Sequence, residues 1–249
     1  MANNLNSLLT NVANAIRSKK GTSALINAQD FANEIESIQT GGSTYTDYGL
    51  FYKGKNRVRY LDIDGKVLKI EYLENGSKLT PPDIPNYDPD YLVFDCWNYD
   101  IDNYVVERPT DVGAIYNTID DYSYFWVDVM QRLGFSYNLT FNNFESIDWG
   151  DGTVDSEKTH TYASEGSYLI KIKGNFSVSN SFGVYTFGSS NINKSIKKAY
   201  VKSGCTLGGY AFSYCSSLEI VSLPSSITSL GSNSFYGCNL KCAIIPNNI

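Results

Sequence analysis

Ala211-Phe212-Ser213-Tyr214-Cys215-Ser216-Ser217-Leu218 runs on into Val221-Ser222-Leu223-Pro224, and much of that pattern returns one step downstream. Leu207 and Leu230, Phe212 and Phe235, and Cys215 and Cys238 each lie 23 residues apart. Past the second cysteine the spacing slips: Leu218 to Leu240, Leu223 to Ile245 and Pro224 to Pro246 are 22 apart. Ile196, Ala199 and Val201 precede Leu218, Val221 and Leu223 by the same 22, which outlines a degenerate earlier copy. A period in the low twenties with apolar residues at fixed phases marks a solenoid, in which each turn buries its Leu and Phe against its neighbours. Phe212, Cys215, Leu218, Leu223, Phe235, Cys238 and Leu240 are therefore the expected repeat core. About three turns leave two open ends, so this segment is expected to lean on the preceding part of the chain or on a second copy.

Upstream of the repeats the apolar period is two. Tyr122, Tyr124, Trp126 and Asp128 alternate, as do Phe135, Tyr137, Leu139 and Phe141. Ile147-Asp148-Trp149-Gly150-Asp151-Gly152-Thr153 reads as a strand running into a tight turn, and His160-Thr161-Tyr162 and Tyr168–Ile172 supply further strands. Nearer the start, Val58, Tyr60 and Asp62 lead to Asp64-Gly65 and then Val67, Leu68 and Ile70, a strong hairpin signal. Pro81, Pro82, Pro85 and Pro89 exclude a central strand until Tyr91-Leu92-Val93-Phe94 and Trp97. The first forty residues differ. Leu8, Val12 and Ile16 form one helical stripe that ends at Gly21, and Phe31, Ile35 and Ile38 form a second behind an Asn27 cap. Two helices this short bury little between them, so their stripes are expected to dock elsewhere. Thr40-Gly41-Gly42-Ser43-Thr44 reads as a linker.

The 249 residues are 42% hydrophobic and 18% charged, a globular composition, and 20 Tyr with 12 Phe suit β modules and contact surfaces. A formal charge of −6 would repel a phosphate backbone, so nucleic acid is not an expected partner. The opening residues show neither a secretion signal nor a membrane span, and membrane insertion is not expected. Five cysteines without a secretion signal are expected to be thiols.

These segments resemble known families. Residues 184–249 resemble the BspA-like, surface-antigen class of leucine-rich repeat, with Gly237-Cys238-Asn239-Leu240 one residue short of its pattern. Residues 119–178 look like a PKD-type β-sandwich, whose signature is carried by Asp148, Trp149, Gly150, Asp151, Gly152, His160 and Tyr162. Residues 57–118 resemble an internalin-type β-grasp repeat through Asp64-Gly65-Lys66-Val67-Leu68 and the Phe94 and Trp97 pair. Val12–Thr22 and Phe31–Ile35 are similar to a helical leader of phage tail and other virion proteins. The expected organisation is a mainly β, multi-module chain: a helical docking leader over 1–40, a linker over 41–56, a β-grasp-like module over 57–118, a PKD-like sandwich over 119–178 and a leucine-rich-repeat cap over 179–249.

Catalytic and metal readings compete poorly with structural ones. His160 is the one histidine, with no recognisable nucleophile or orienting partner, and reads as a packed, hydrogen-bonded strand residue. Cys215 and Cys238 sit at repeat phase, which explains them as stacked core residues better than as zinc ligands with Cys205 and Cys242. Asp148, Asp151 and Asp155 lack the further oxygen ligands of a calcium loop, and turn chemistry accounts for Asp151-Gly152. The acidic run Asp83, Asp88, Asp90, Asp95, Asp100 and Asp102 reads as a solvated loop face rather than a glycosidase pair.

The resemblances together imply an elongated, non-enzymatic bacteriophage virion protein (tail fibre, baseplate or head fibre) without cofactor or metal. It would be assembled in the host cytoplasm, dock on other virion proteins through Leu8, Val12, Ile16, Phe31, Ile35 and Ile38, and stand in several copies or as a homo-oligomer. Its β modules would meet a host surface polysaccharide or protein. A bacterial surface adhesin with the same modules, or a purely structural decoration protein, is the alternative.

Overall fold

The computed structural model describes residues 14, 49–129, 135–138, 141–178 and 195–249. The chain divides into two units, Met1–Lys53 and Gly54–Ile249. In the first, Asn14 is helical and exposed, and β1 (Phe51–Tyr52) is a short strand. The helical hairpin expected over 1–40, with Leu8, Val12, Ile16, Phe31, Ile35 and Ile38, lies outside the described residues. The second unit is mainly β.

β2 (Lys55–Leu61) and β3 (Val67–Leu73) form an antiparallel hairpin. Asp64-Gly65 turns the chain as expected: Gly65 has φ 84°, and the Asp64 carboxylate accepts the Lys66 N–H at 2.9 Å. β4 (Leu92–Trp97) pairs antiparallel with β5 (Thr110–Thr118), and β5 lies parallel beside β2, giving the order β3-β2-β5-β4. The four prolines fall in the strandless stretch between β3 and β4, where a missing N–H costs no ladder bond. Val58, Tyr60 and Val112 pack with Leu79 and Val106, while Leu61 and Ile115 pack with Ile244 of the repeat segment. A Cβ at Gly113 would stand 2.4 Å from Ile244 Cδ1, so glycine is what admits that side chain.

β6 (Tyr122–Val129) is the hub of the unit. It is followed by β7 (Phe135–Asn138), β8 (Phe141–Asn142), β9 (Ser146–Asp148), β10 (Val154–Asp155), β11 (Thr159–Tyr162), β12 (Gly166–Lys173) and β13 (Ser177–Val178). The repeat segment adds β14 (Ile196–Tyr200), β15 (Thr206–Leu207) and β16 (Ile220–Ser222). One sheet has the order β10-β9-β12-β6-β14-β16. β6 pairs antiparallel with β12 from Gly166↔Val129 to Lys173↔Tyr122, and on its other edge with β14, Tyr200 opposite Tyr124. β7 pairs with β11, and β13 joins β8 to β15.

The parallel ladder reproduces the sequence period. β14 and β16 pair as Lys198↔Ile220 and Ala199↔Val221, each 22 residues apart, and Leu207 bridges Leu230 across 23. The Glu219 N–H donates to Lys197 O and the Lys241 N–H to Glu219 O, both at 3.0 Å, so the degenerate early copy is a true rung. Phe212 and Phe235 stack with centroids 5.4 Å apart and planes 7° from parallel. Phe212, Cys215, Leu218 and Leu223 are buried. Phe235, Cys238 and Leu240 pack on the same core but are only partly buried, as the outer members of their stacks.

β6 also joins the repeat segment to the segment before it. An open parallel edge with exposed amide groups needs a partner, and β6 closes the ladder at β14. Segments expected as separate spacers thus share a sheet and cores within one compact unit. Along β6, Phe125, Val127 and Val129 face one core, while Tyr122, Tyr124 and Trp126 face a second core with Tyr91, Tyr116 and Tyr200.

Candidate functional site

The expected signature cluster comes together around one hairpin. β9 and β10 are joined through Gly150 and Gly152, with Asp148 Oδ1 accepting the Gly150 N–H and Asp151 Oδ1 the Thr153 N–H, each at 3.0 Å. Gly150, at φ 83°, lies so close to β12 that a Cβ would meet Leu169 O at 2.6 Å. Trp149 is fully buried, and its Nε1 donates to Asp155 Oδ1 at 3.1 Å. His160 stacks on the Trp149 ring at 4.9 Å, meets Tyr162 edge-on at 4.7 Å, and contacts Asp151 Oδ2 through Nε2 at 2.7 Å. Tyr162 donates its hydroxyl to Trp149 O at 2.7 Å. Burial opposes ionisation of Asp151, but the Thr153 N–H and His160 outweigh it and hold its carboxyl below the usual range. Each polar group is engaged in fixing the hairpin, and the three aspartates point to different partners: Lys171, His160 and Trp149.

The cysteines are free thiols. Cys238 donates to Phe212 O at 3.0 Å, and burial pushes its thiol up to about 11. Burial likewise raises Cys215, and the neighbouring Cys238 adds to the rise. Among the described residues no three His, Cys, Asp or Glu side chains gather as a cation would require. The acidic run is not a single solvated face. Asp83, Asp90, Asp100 and Asp102 are exposed, but Asp88 accepts the Tyr200 hydroxyl at 2.6 Å and Asp95 accepts the Ser225 hydroxyl. Asp88 lies in the proline-rich stretch and Asp95 on β4, and both carboxylates meet hydroxyl groups of the repeat segment.

A feature not singled out in the sequence stands on the turn edge of the repeats. Tyr210, Tyr214 and Tyr236 are exposed by 46%, 49% and 57%. Their backbone is fixed: the Tyr210 N–H donates to Ser232 O at 2.8 Å, Phe212 to Ser234 O at 2.7 Å and Tyr214 to Tyr236 O at 2.6 Å. The Tyr214 and Tyr236 rings meet edge to face at 5.1 Å, and Tyr236 is the main cause that raises the Tyr214 phenol above its usual value. Tyr210 and Tyr214 have φ of 60° and 59°, the left-handed region that a bulky residue seldom occupies. At the same phases 23 residues on stand Asn233 (φ 57°) and Gly237 (φ 74°), residue types suited to it. Between Ser203 and Leu240 the one charged residue is Glu219. The available signal was an aromatic residue at a turn phase filled by Asn or Gly one repeat later.

Residues 180–249 match the family model of the BspA type leucine rich repeat region. The match covers the repeat segment and leaves the upstream residues unassigned. No curated protein and no solved structure matches the chain.

Proposed function

We propose that this chain is a non-enzymatic attachment protein of a bacteriophage virion, and that the tyrosine edge of its repeats meets the host surface. The observation that carries the reading is the exposed Tyr210, Tyr214 and Tyr236 group on a hydrogen-bonded backbone, because a rigid aromatic surface loses little entropy when it binds. In this reading the leader over 1–40 docks on other virion proteins, segments 57–118 and 119–178 are β-grasp-like and PKD-like supports, and display in several copies adds avidity. Binding occurs without turnover, cofactor or metal, and needs neither nucleic acid nor membrane insertion. The virion assignment rests on the leader's resemblance to those of phage structural proteins.

Immunogold labelling of intact virions tests the placement: label at the tail or head fibres is expected, and label confined to bacterial walls would instead support a surface adhesin. Phe31→Asp with Ile35→Asp should abolish incorporation into particles, and normal incorporation would refute the docking role. Labelled full-length chain should also adhere to intact cells of the host. Incorporation without adhesion would leave the protein a structural decoration.

A further inference from the structure

We infer that the tyrosine edge recognises a neutral surface glycan; the inference rests on the attachment reading and names its ligand. The first ground is the repeat-to-repeat contrast. Two adjacent turns share the same left-handed positions, yet one fills them with Asn233 and Gly237 and the other with Tyr210 and Tyr214. Tyrosine bears a steric cost at each position that the neighbouring repeat avoids. Neither ring is used to fill the core, since both are about half exposed. A costly backbone position that displays its side chain to solvent points to a use for that side chain.

The second ground is chemical. Apart from Glu219 on the strand side, residues 203–240 carry no charge, in a protein with a formal charge of −6. Among the described residues 203–240, Glu219 alone could pair with a charged partner. The edge instead offers ring faces, phenol hydroxyls and the exposed polar residues Ser216, Ser232, Asn233 and Asn239. A neutral sugar presents a matching surface: an apolar C–H face that rests on the electron-rich face of an aromatic ring, and a rim of hydroxyls that exchange hydrogen bonds with hydroxyl and amide groups.

The test copies one repeat onto the other. Tyr210→Asn with Tyr214→Gly installs the residue types that occupy the same phases downstream, so the variant should fold and unfold at a temperature no lower than about 2 °C below the parent. Full-length chain is run in native gels containing dextran, mannan or galactan, with polygalacturonate as the anionic comparison. Retardation by at least one neutral polymer is expected, weakened about tenfold or more in the folded double variant. Retardation by none of the neutral polymers, by polygalacturonate alone, or equally in parent and variant would overturn the assignment. Host cells separate this from failure of the attachment reading. Adhesion lost after periodate oxidation but kept after protease treatment supports the glycan. Adhesion lost only after protease, or kept by the variant, overturns the glycan while attachment stands. No adhesion by the parent overturns both.

Discussion

On one side of β6, Phe125, Val127 and Val129 meet Ile147, Ile170, Phe176 and the repeat core in a largely hydrocarbon interior. On the other, Tyr122, Tyr124 and Trp126 meet Tyr91, Tyr116 and Tyr200, with Tyr91 edge-on to Tyr124 at 4.9 Å and Trp126 edge-on to Tyr200 at 4.8 Å. Hydroxyls on this second side reach carboxylates: Tyr124 to Asp120 and Tyr200 to Asp88 at 2.6 Å, Tyr116 to Asp62 at 2.7 Å. Burial raises all three phenols, and the carboxylate partners raise them further, so each stays a donor. The first side holds the sheet to the repeats mainly by apolar area, with the buried Ser123 hydroxyl accepting the Lys202 N–H at 2.9 Å. On the second, the Tyr200 hydroxyl on Asp88 ties the repeats to segment 57–118, while the Tyr116–Asp62 and Tyr124–Asp120 pairs each close within one stretch of chain.

Substitutions should break this contrast in a graded way. Phe125→Ala removes a buried ring from the hydrocarbon side and should cost about 3–5 kcal/mol in urea unfolding. A loss no greater than that of a surface substitution would mean the two sides are not distinct. Tyr200→Phe keeps the ring but takes a donor from the partly buried Asp88, for about 1–3 kcal/mol. Tyr124→Phe faces the exposed Asp120, where water can replace the hydroxyl, and should cost about 0.5–1 kcal/mol. A larger effect for Tyr124 than for Tyr200 would reverse the assignment of which hydroxyl is anchored.

The smallest expected effect is one of pH. Burial raises Asp62 despite the Tyr116 hydroxyl and the Ile63 N–H. A carboxyl whose folded value is raised binds its proton more tightly when folded, so its contribution declines as pH climbs from the unfolded value, about 3.9, through the folded one. Asp151 is shifted the other way, and its contribution is present above the unfolded value and lost as pH falls through the folded one. Urea midpoints from pH 3 to pH 7 should therefore show the Asp62→Asn difference and the Asp151→Asn difference moving with opposite slopes. Parallel slopes would contradict the environments described for the two groups.

Much of this was legible where the determinants are local. Asp64-Gly65 marked its hairpin because left-handed backbone at the second position selects glycine. The 22- and 23-residue spacings became the register of the ladder because one turn of a solenoid is one hydrogen-bonded step. Trp149 and Asp151 share one short hairpin, and His160 on the next strand, β11, packs against both. The β6–β14 pairing left no such mark: its partners are about seventy residues apart in sequence, and nothing in either strand encodes the other. Nor did the alternation in Tyr122–Val129 show that both sides are covered, since Tyr and Trp at the even positions suit a wet face as well as an aromatic core. The tyrosine edge was hidden because its aromatics look like core residues until the backbone φ is known.

Ile244 seated over Gly113 has a consequence for how the molecule is made. The side chain that fills this place is synthesised about 130 residues after the glycine, and β14 emerges about 70 residues after the strand it completes. During translation the nascent sheet must wait with an unpaired edge and an uncovered apolar face, the condition that recruits chaperones or drives aggregation. Truncation within the last repeat should therefore reduce soluble yield far more than its small loss of mass suggests, because the early strands would never receive their cover.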